Sequence, residues 1–156
     1  MKKARSKAPL FTIGYEQTPP AAVLDELQRA KVGLLVDVRA VAASRRPGFS
    51  KTQLAAGLDD HGIAYLHLRG LGTPKEGRLA ARSGNFDKLF RVYQAHLKTA
   101  QAREELDELT ALVRTGKRIC LLCYERDPHQ CHRQWIAEIV SERAGVPVTH
   151  LAPEPR

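Results

Sequence analysis

The sequence predicts an α/β fold: one three-layer domain, Rossmann-like, around a mostly parallel sheet of roughly five strands. Apolar runs of strand length occur at residues 10–14, 34–39, 63–68, 119–123 and 146–151. Segments with helical apolar spacing separate them, and that alternation calls for parallel strands joined by right-handed crossovers. The chain has 156 residues, 43% hydrophobic and 27% charged, which suits a single sizeable core.

Each element has a local reason. The first strand, 10–14, stops at Gly14-Tyr15, and Thr18-Pro19-Pro20 opens a helix over 21–30 with Val23, Leu24 and Leu27 inward. Residues 34–39 are apolar enough for a strand buried on both faces. A loop over 40–49 follows, then Ser50 with Gln53 three residues on, the pattern of a capping box for a helix reaching Asp60. After the strand at 63–68, residues 69–85 hold Gly70, Gly72, Gly77 and Gly84 and read as a long polar loop. Helices are expected over 86–98 and 103–114, and Gly116 ends the second. Ile119 to Cys123 is a buried strand bounded by charge.

Asp127 as N-cap with Pro128 in the first helical position predicts a helix whose first turn carries Cys131, His132 and Arg133. Helical spacing puts His132, Trp135, Ile136, Ile139, Val140 and Arg143 on its sheet-packing face, with Cys131 and Arg133 flanking. The last strand, 146–151, contains Pro147 and belongs at the sheet edge. The domain is expected to run from 10 to 151, between a basic disordered tail (1–9) and a loose C-terminal tail (152–156).

In open α/β sheets the ligand lies beyond the carboxyl ends of the strands. That rule gathers Tyr15 and Glu16, Asp37 and Arg39, Arg69 with Gly70, and Cys123, Tyr124 and Glu125 on one rim, beside the start of the last long helix. Arg39, Arg45 and Arg133 are the candidate anion holders, because a planar guanidinium binds phosphate or carboxylate in a bidentate fork. The alternative for these arginines is a structural network with Asp37 and Glu125. Arg46, Lys51, Lys75, Arg78 and Arg82 read as a solvated basic surface. Cys131, His132, Glu125 and Cys123 are the candidate catalytic groups, with Tyr15, Asp37 and Arg69 lining the pocket.

Cys120 and Cys123 lie three apart on a strand and so face opposite ways, which removes them as a redox or half-zinc pair. Cys120-x5-Arg126 matches the spacing of cysteine-phosphatase loops, but the segment between has no glycine and reads as strand. Cys123, Cys131 and His132 share the rim; adjacent Cys131 and His132 rarely serve one metal, so neither metal nor cofactor is expected. The net charge of +8 favours polyanion or phosphate partners. No apolar run spans a bilayer, and the odd count of three cysteines fits a reducing cytoplasm.

Thr12-Ile-Gly-Tyr15, Leu35-Val-Asp-Val-Arg39, Ser44-Arg45, Leu71-Gly72 and the motif from Cys123 through Glu125 and Pro128 to Cys131-His132-Arg133 together resemble the DUF488 family. The resemblance spans residues 11–151 and implies a compact α/β domain; it implies no particular reaction. The function expected from the residues is a strand-end pocket for a phosphate-bearing small molecule, a nucleotide or a nucleic-acid end. Two alternatives stand beside it: a non-catalytic nucleic-acid-binding module and a thiol-based redox protein.

Overall fold

A computed structural model describes residues 8–153. Residues 1–7 of the expected N-terminal tail (1–9) and the last three residues of the expected C-terminal tail lie outside the described residues. The strands are β1 (Leu10–Gly14), β2 (Leu34–Asp37), β3 (Ala64–His67), β4 (Ile119–Cys123) and β5 (Val148–Leu151). The helices are α1 (Pro20–Arg29), α2 (Lys51–Asp59), α3 (Lys75–Arg82), α4 (Phe86–His96), α5 (Ala100–Arg114) and α6 (Arg133–Ala144). Every strand pair is parallel, in the order β3-β2-β4-β1-β5. β5 sits at an edge, as Pro147 just before it requires.

The period-two alternation of the strands divides the core into two layers. Ile119, Leu121 and Cys123 of β4 pack with Tyr93 and Leu97 of the α4 segment, Leu106 and Leu109 of α5, and Ile136 and Val140 of α6. Cys120 and Leu122 point the other way, into a layer with Val23 and Leu27 of α1 and Leu54 and Leu58 of α2. β1 and β2 therefore lead into helices on one face, whereas β4 leads into α6 on the other. A crevice opens where neighbouring connections diverge in this way, at the carboxyl end of β4. There Gly14 pairs in register with Cys123, and Asp37 with Leu122.

Three local expectations are corrected. Ser50 precedes α2 but makes no side-chain cap. Its hydroxyl donates to Ser44 O and accepts from Ser44 N, each at 3.1 Å, while Gln53 Oε1 accepts from Gly48 N. Both side chains tie down the 44–50 loop instead of the helix end.

The stretch expected as loop, 69–85, holds a turn of 3-10 helix (Arg69–Leu71) and all of α3. Its glycines serve close packing. A Cβ at Gly72 would collide with the backbone of Ala40, and one at Gly77 with Thr73 Cγ2, close to Val92 and Leu89 of α4.

Asp127 and Pro128 start only a 3-10 turn (Pro128–Gln130), in which Asp127 accepts from His129 N. The chain then extends at Cys131 (φ −135°, ψ 145°), and α6 begins at Arg133. The buried face of α6 is Arg133, Ile136, Ala137, Val140 and Ala144, so Arg133 lies in the core and does not flank it. Among the described residues no helix is long and apolar enough to cross a membrane.

Candidate functional site

The rim beyond β4 is a cavity of about 340 Å³. Its wall includes Tyr15 from the end of β1, Arg39 from the end of β2, and Cys123, Tyr124 and Glu125 from the end of β4. Cys131 and His132 close it from the segment before α6, and Arg78 and Arg82 line the opposite side from α3. A neighbouring hollow shares Arg78, Arg82, Tyr124 and Glu125, so the cavity continues outward as a cleft.

Beneath the wall lies a saturated polar network. The buried Asp37 carboxylate accepts from Arg39 Nε at 2.9 Å and from Arg39 Nη2 at 2.7 Å. Tyr65 Oη donates to the same carboxylate at 2.6 Å. Arg39 Nη1 donates to Phe49 O at 2.8 Å and to Tyr15 Oη at 3.1 Å. Burial works against the charge of Arg39, but the bidentate contact with Asp37 more than offsets it and keeps the guanidinium protonated. Burial, and then the bond to Asp37, push the Tyr65 phenol well above its usual range. Arg39 thus reaches the cavity wall with four of its five guanidinium N–H donors engaged.

Arg133 is fully buried and has no acidic side chain within ion-pair distance among the described residues. Its Nε donates to Thr12 Oγ1, Nη1 to Glu125 O and to Cys123 Sγ (3.0 Å), and Nη2 to Arg126 O. Its backbone N–H faces Cys131 Sγ at 3.5 Å. Burial lowers its pKa to about 10, which still leaves it charged at neutral pH. A buried cation held by carbonyl dipoles lies under the site, next to sulfur.

Cys123 and Cys131 are joined as a disulfide, and both are buried at the cavity floor. Cys120 is a free thiol, fully buried among the residues of the opposite layer, and burial pushes its pKa well above the thiol range. His132 donates from Nε2 to Val38 O at 2.7 Å, which leaves Nδ1 with its lone pair 3.5 Å from Cys131 Sγ. Burial lowers the His132 pKa to about 4, so the ring is neutral and its tautomer follows from the Val38 contact. Burial raises the Glu125 carboxyl, and the Arg133 charge nearby opposes that rise.

Seven of the residues expected from the sequence meet at this wall: Tyr15, Arg39, Cys123, Tyr124, Glu125, Cys131 and His132. Asp37 lies just behind, holding Arg39 and Tyr65. Arg45 and Arg69 are exposed and outside the lining, and Arg133 is under the floor and not on it, so the fold does not bring these three onto the wall with the other expected residues. Expected as solvated surface, Arg78 and Arg82 line the cavity. Their i, i+4 spacing was the available signal, hidden because the segment read as loop.

A family model described as a domain of unknown function, DUF488, matches residues 19–140. Comparison with the curated proteins and with the solved structures gave no match.

Proposed function

The chain belongs to the DUF488 family, a domain of unknown function, and we propose, from the geometry of its own pocket, thiol–disulfide exchange with an anionic small molecule. One observation carries this reading: Cys123 and Cys131, from two separate segments, share the floor of an open pocket beside the Arg133 guanidinium. That cation favours negative charge on the Cys123 sulfur, which is what a leaving or attacking thiolate needs. Arg78 and Arg82 face the cavity from α3, neither in an ion pair among the described residues. They are the groups on which an anionic substrate would be held.

The step balances with two substrate thiolates. The first attacks Cys131 Sγ, and Cys123 leaves as a thiolate against Arg133. The second attacks the substrate sulfur of the mixed disulfide, releasing the substrate disulfide and a Cys131 thiolate. Two electrons pass from the substrate thiolates to the protein. When Cys131 is protonated, its S–H donates a hydrogen bond to the neutral His132 Nδ1 beside it.

Reduction rates of the oxidised protein with mercaptosuccinate, mercaptoethanol and cysteamine, followed by mass spectrometry, test the reading. The anionic thiol is expected to react about tenfold faster than the cationic one relative to their rates with a model disulfide, equivalent to 1.4 kcal/mol. The preference should invert in an Arg78→Glu, Arg82→Glu double variant. A disulfide equally reactive with all three thiols in both proteins sinks the proposal. The same two arginines favour a second reading, a phosphate-binding pocket without sulfur chemistry. Melting midpoints in phosphate at fixed ionic strength, raised equally in wild type and Cys131→Ser but not in Arg82→Glu, would choose it.

A further inference from the structure

We infer that the reduced site is a zinc centre in which Cys123 Sγ, Cys131 Sγ and the Glu125 carboxylate supply three ligands and the fourth position opens to the cavity. It rests on the exchange reading only in needing the same cysteine pair in its reduced form. The three donor atoms all lie within 4.8 Å of one another. Two thiolates and one carboxylate form a donor set suited to tetrahedral Zn²⁺, and three protein ligands with one open position is the pattern of zinc sites that take a further ligand.

Backbone spacing agrees. The Cα atoms of Cys123 and Cys131 are 7.4 Å apart, beyond the roughly 4.4–6.8 Å that disulfides usually span. Side-chain rotation lets the sulfurs part to the ~3.7 Å that two Zn–S bonds of about 2.3 Å require, with no backbone shift. Among the described residues Glu125 enters no ion pair, and its carboxylate lines the cavity with a hydrogen bond only from its own backbone N–H.

Charge and second-layer contacts agree too. Two thiolates and a carboxylate around a dication leave one negative charge, and Arg133 directly beneath supplies one positive. Its Nη1 donates to Cys123 Sγ and its backbone N–H faces Cys131 Sγ, so both sulfurs have an N–H donor, as metal thiolates commonly do. This also explains a buried guanidinium with no acid within ion-pair distance: its counter-charge is the metal–thiolate cluster. Metal and disulfide exclude each other, because the oxidised pair has no thiolate to offer. Bound zinc would therefore mask both exchange sulfurs.

The test is a Zn²⁺ titration of reduced, metal-stripped protein against a chromophoric chelator, with Co²⁺ spectra as a second readout. Expected are one ion per chain in the reduced protein and none in the oxidised one. Thiolate-to-cobalt charge-transfer bands with tetrahedral d–d bands should appear. Affinity should drop at least tenfold in Glu125→Gln and be lost in Cys123→Ser and Cys131→Ser, with Trp135 fluorescence reporting that each variant is folded. No zinc bound by reduced protein whose two site thiols react with an alkylating reagent overturns the inference, as does affinity unchanged in Cys131→Ser. Thiol exchange persisting without zinc binding would sink this site and leave the proposed function standing. Zinc binding with no exchange would do the reverse.

Discussion

At the scale of single residues, the distinction that matters is between charges with a partner and charges without one. Asp37 and Arg39 form a buried bidentate pair, and Tyr65 completes the carboxylate's bonding. Removing one member of a buried pair strands the other, at a cost of about 3–5 kcal/mol, whereas losing one neutral donor costs about 1 kcal/mol. Urea unfolding should therefore show Asp37→Asn destabilised by at least ~3 kcal/mol and Tyr65→Phe by ~1 kcal/mol. Similar effects for the two variants would mean that Arg39 finds another partner. The Asp37–Arg39 pair fixes the end of β2 at the rim, where Arg39 also lines the cavity.

At the scale of elements, the strands and the central helices were legible, because an apolar run bounded by charge leaves few alternatives. β1 and β4 match their expected limits, and Cys120 and Cys123 do face opposite layers, as the strand period requires. What was not legible came from residues whose meaning depends on distant partners. Gly70, Gly72 and Gly77 imitate a loop composition, yet a side chain at each would meet a neighbour packed against it. Asp127-Pro128 gives the local signature of a helix start, but the chain uses it for a 3-10 turn and then extends at Cys131. That extension carries Cys131 to Cys123, a contact between segments that no local pattern contains.

Glycine substitutions separate the two kinds of glycine directly. Gly57, inside α2, has no atom within 4 Å of an added Cβ. Gly57→Ala should stabilise by about 0.5–1 kcal/mol through helix propensity and a less mobile unfolded chain. Gly14 ends β1 directly under Glu125, and an added Cβ would collide with that residue's carbonyl. Gly14→Ala should cost about 3 kcal/mol, the upper part of the usual overpacking range. A thermal melt that moved both variants the same way would contradict this.

At the scale of the whole molecule, the Cys123–Cys131 link closes a loop with a sequence separation of 8. Loop-closure entropy for that length gives about 2.5 kcal/mol of stabilisation on oxidation. Denaturant midpoints of oxidised and reduced protein, both with chelator present, should differ accordingly at unchanged slope, and the Cys120→Ala variant should show the same difference. An oxidised form no more stable than the reduced one would mean that the native fold resists the link as much as the unfolded chain loses by it.

The strand order has a consequence for the order of synthesis. β4 lies between β1 and β2, and neither of those pairs with the other. A growing chain that has emerged through α5 therefore possesses a β2–β3 pair and a solitary β1, each showing an edge that awaits the same missing strand. The five residues Ile119–Cys123 join those halves and deliver the first cysteine of the pocket in one event. A ribosome stalled before them would hold a chain with two open edges and no site.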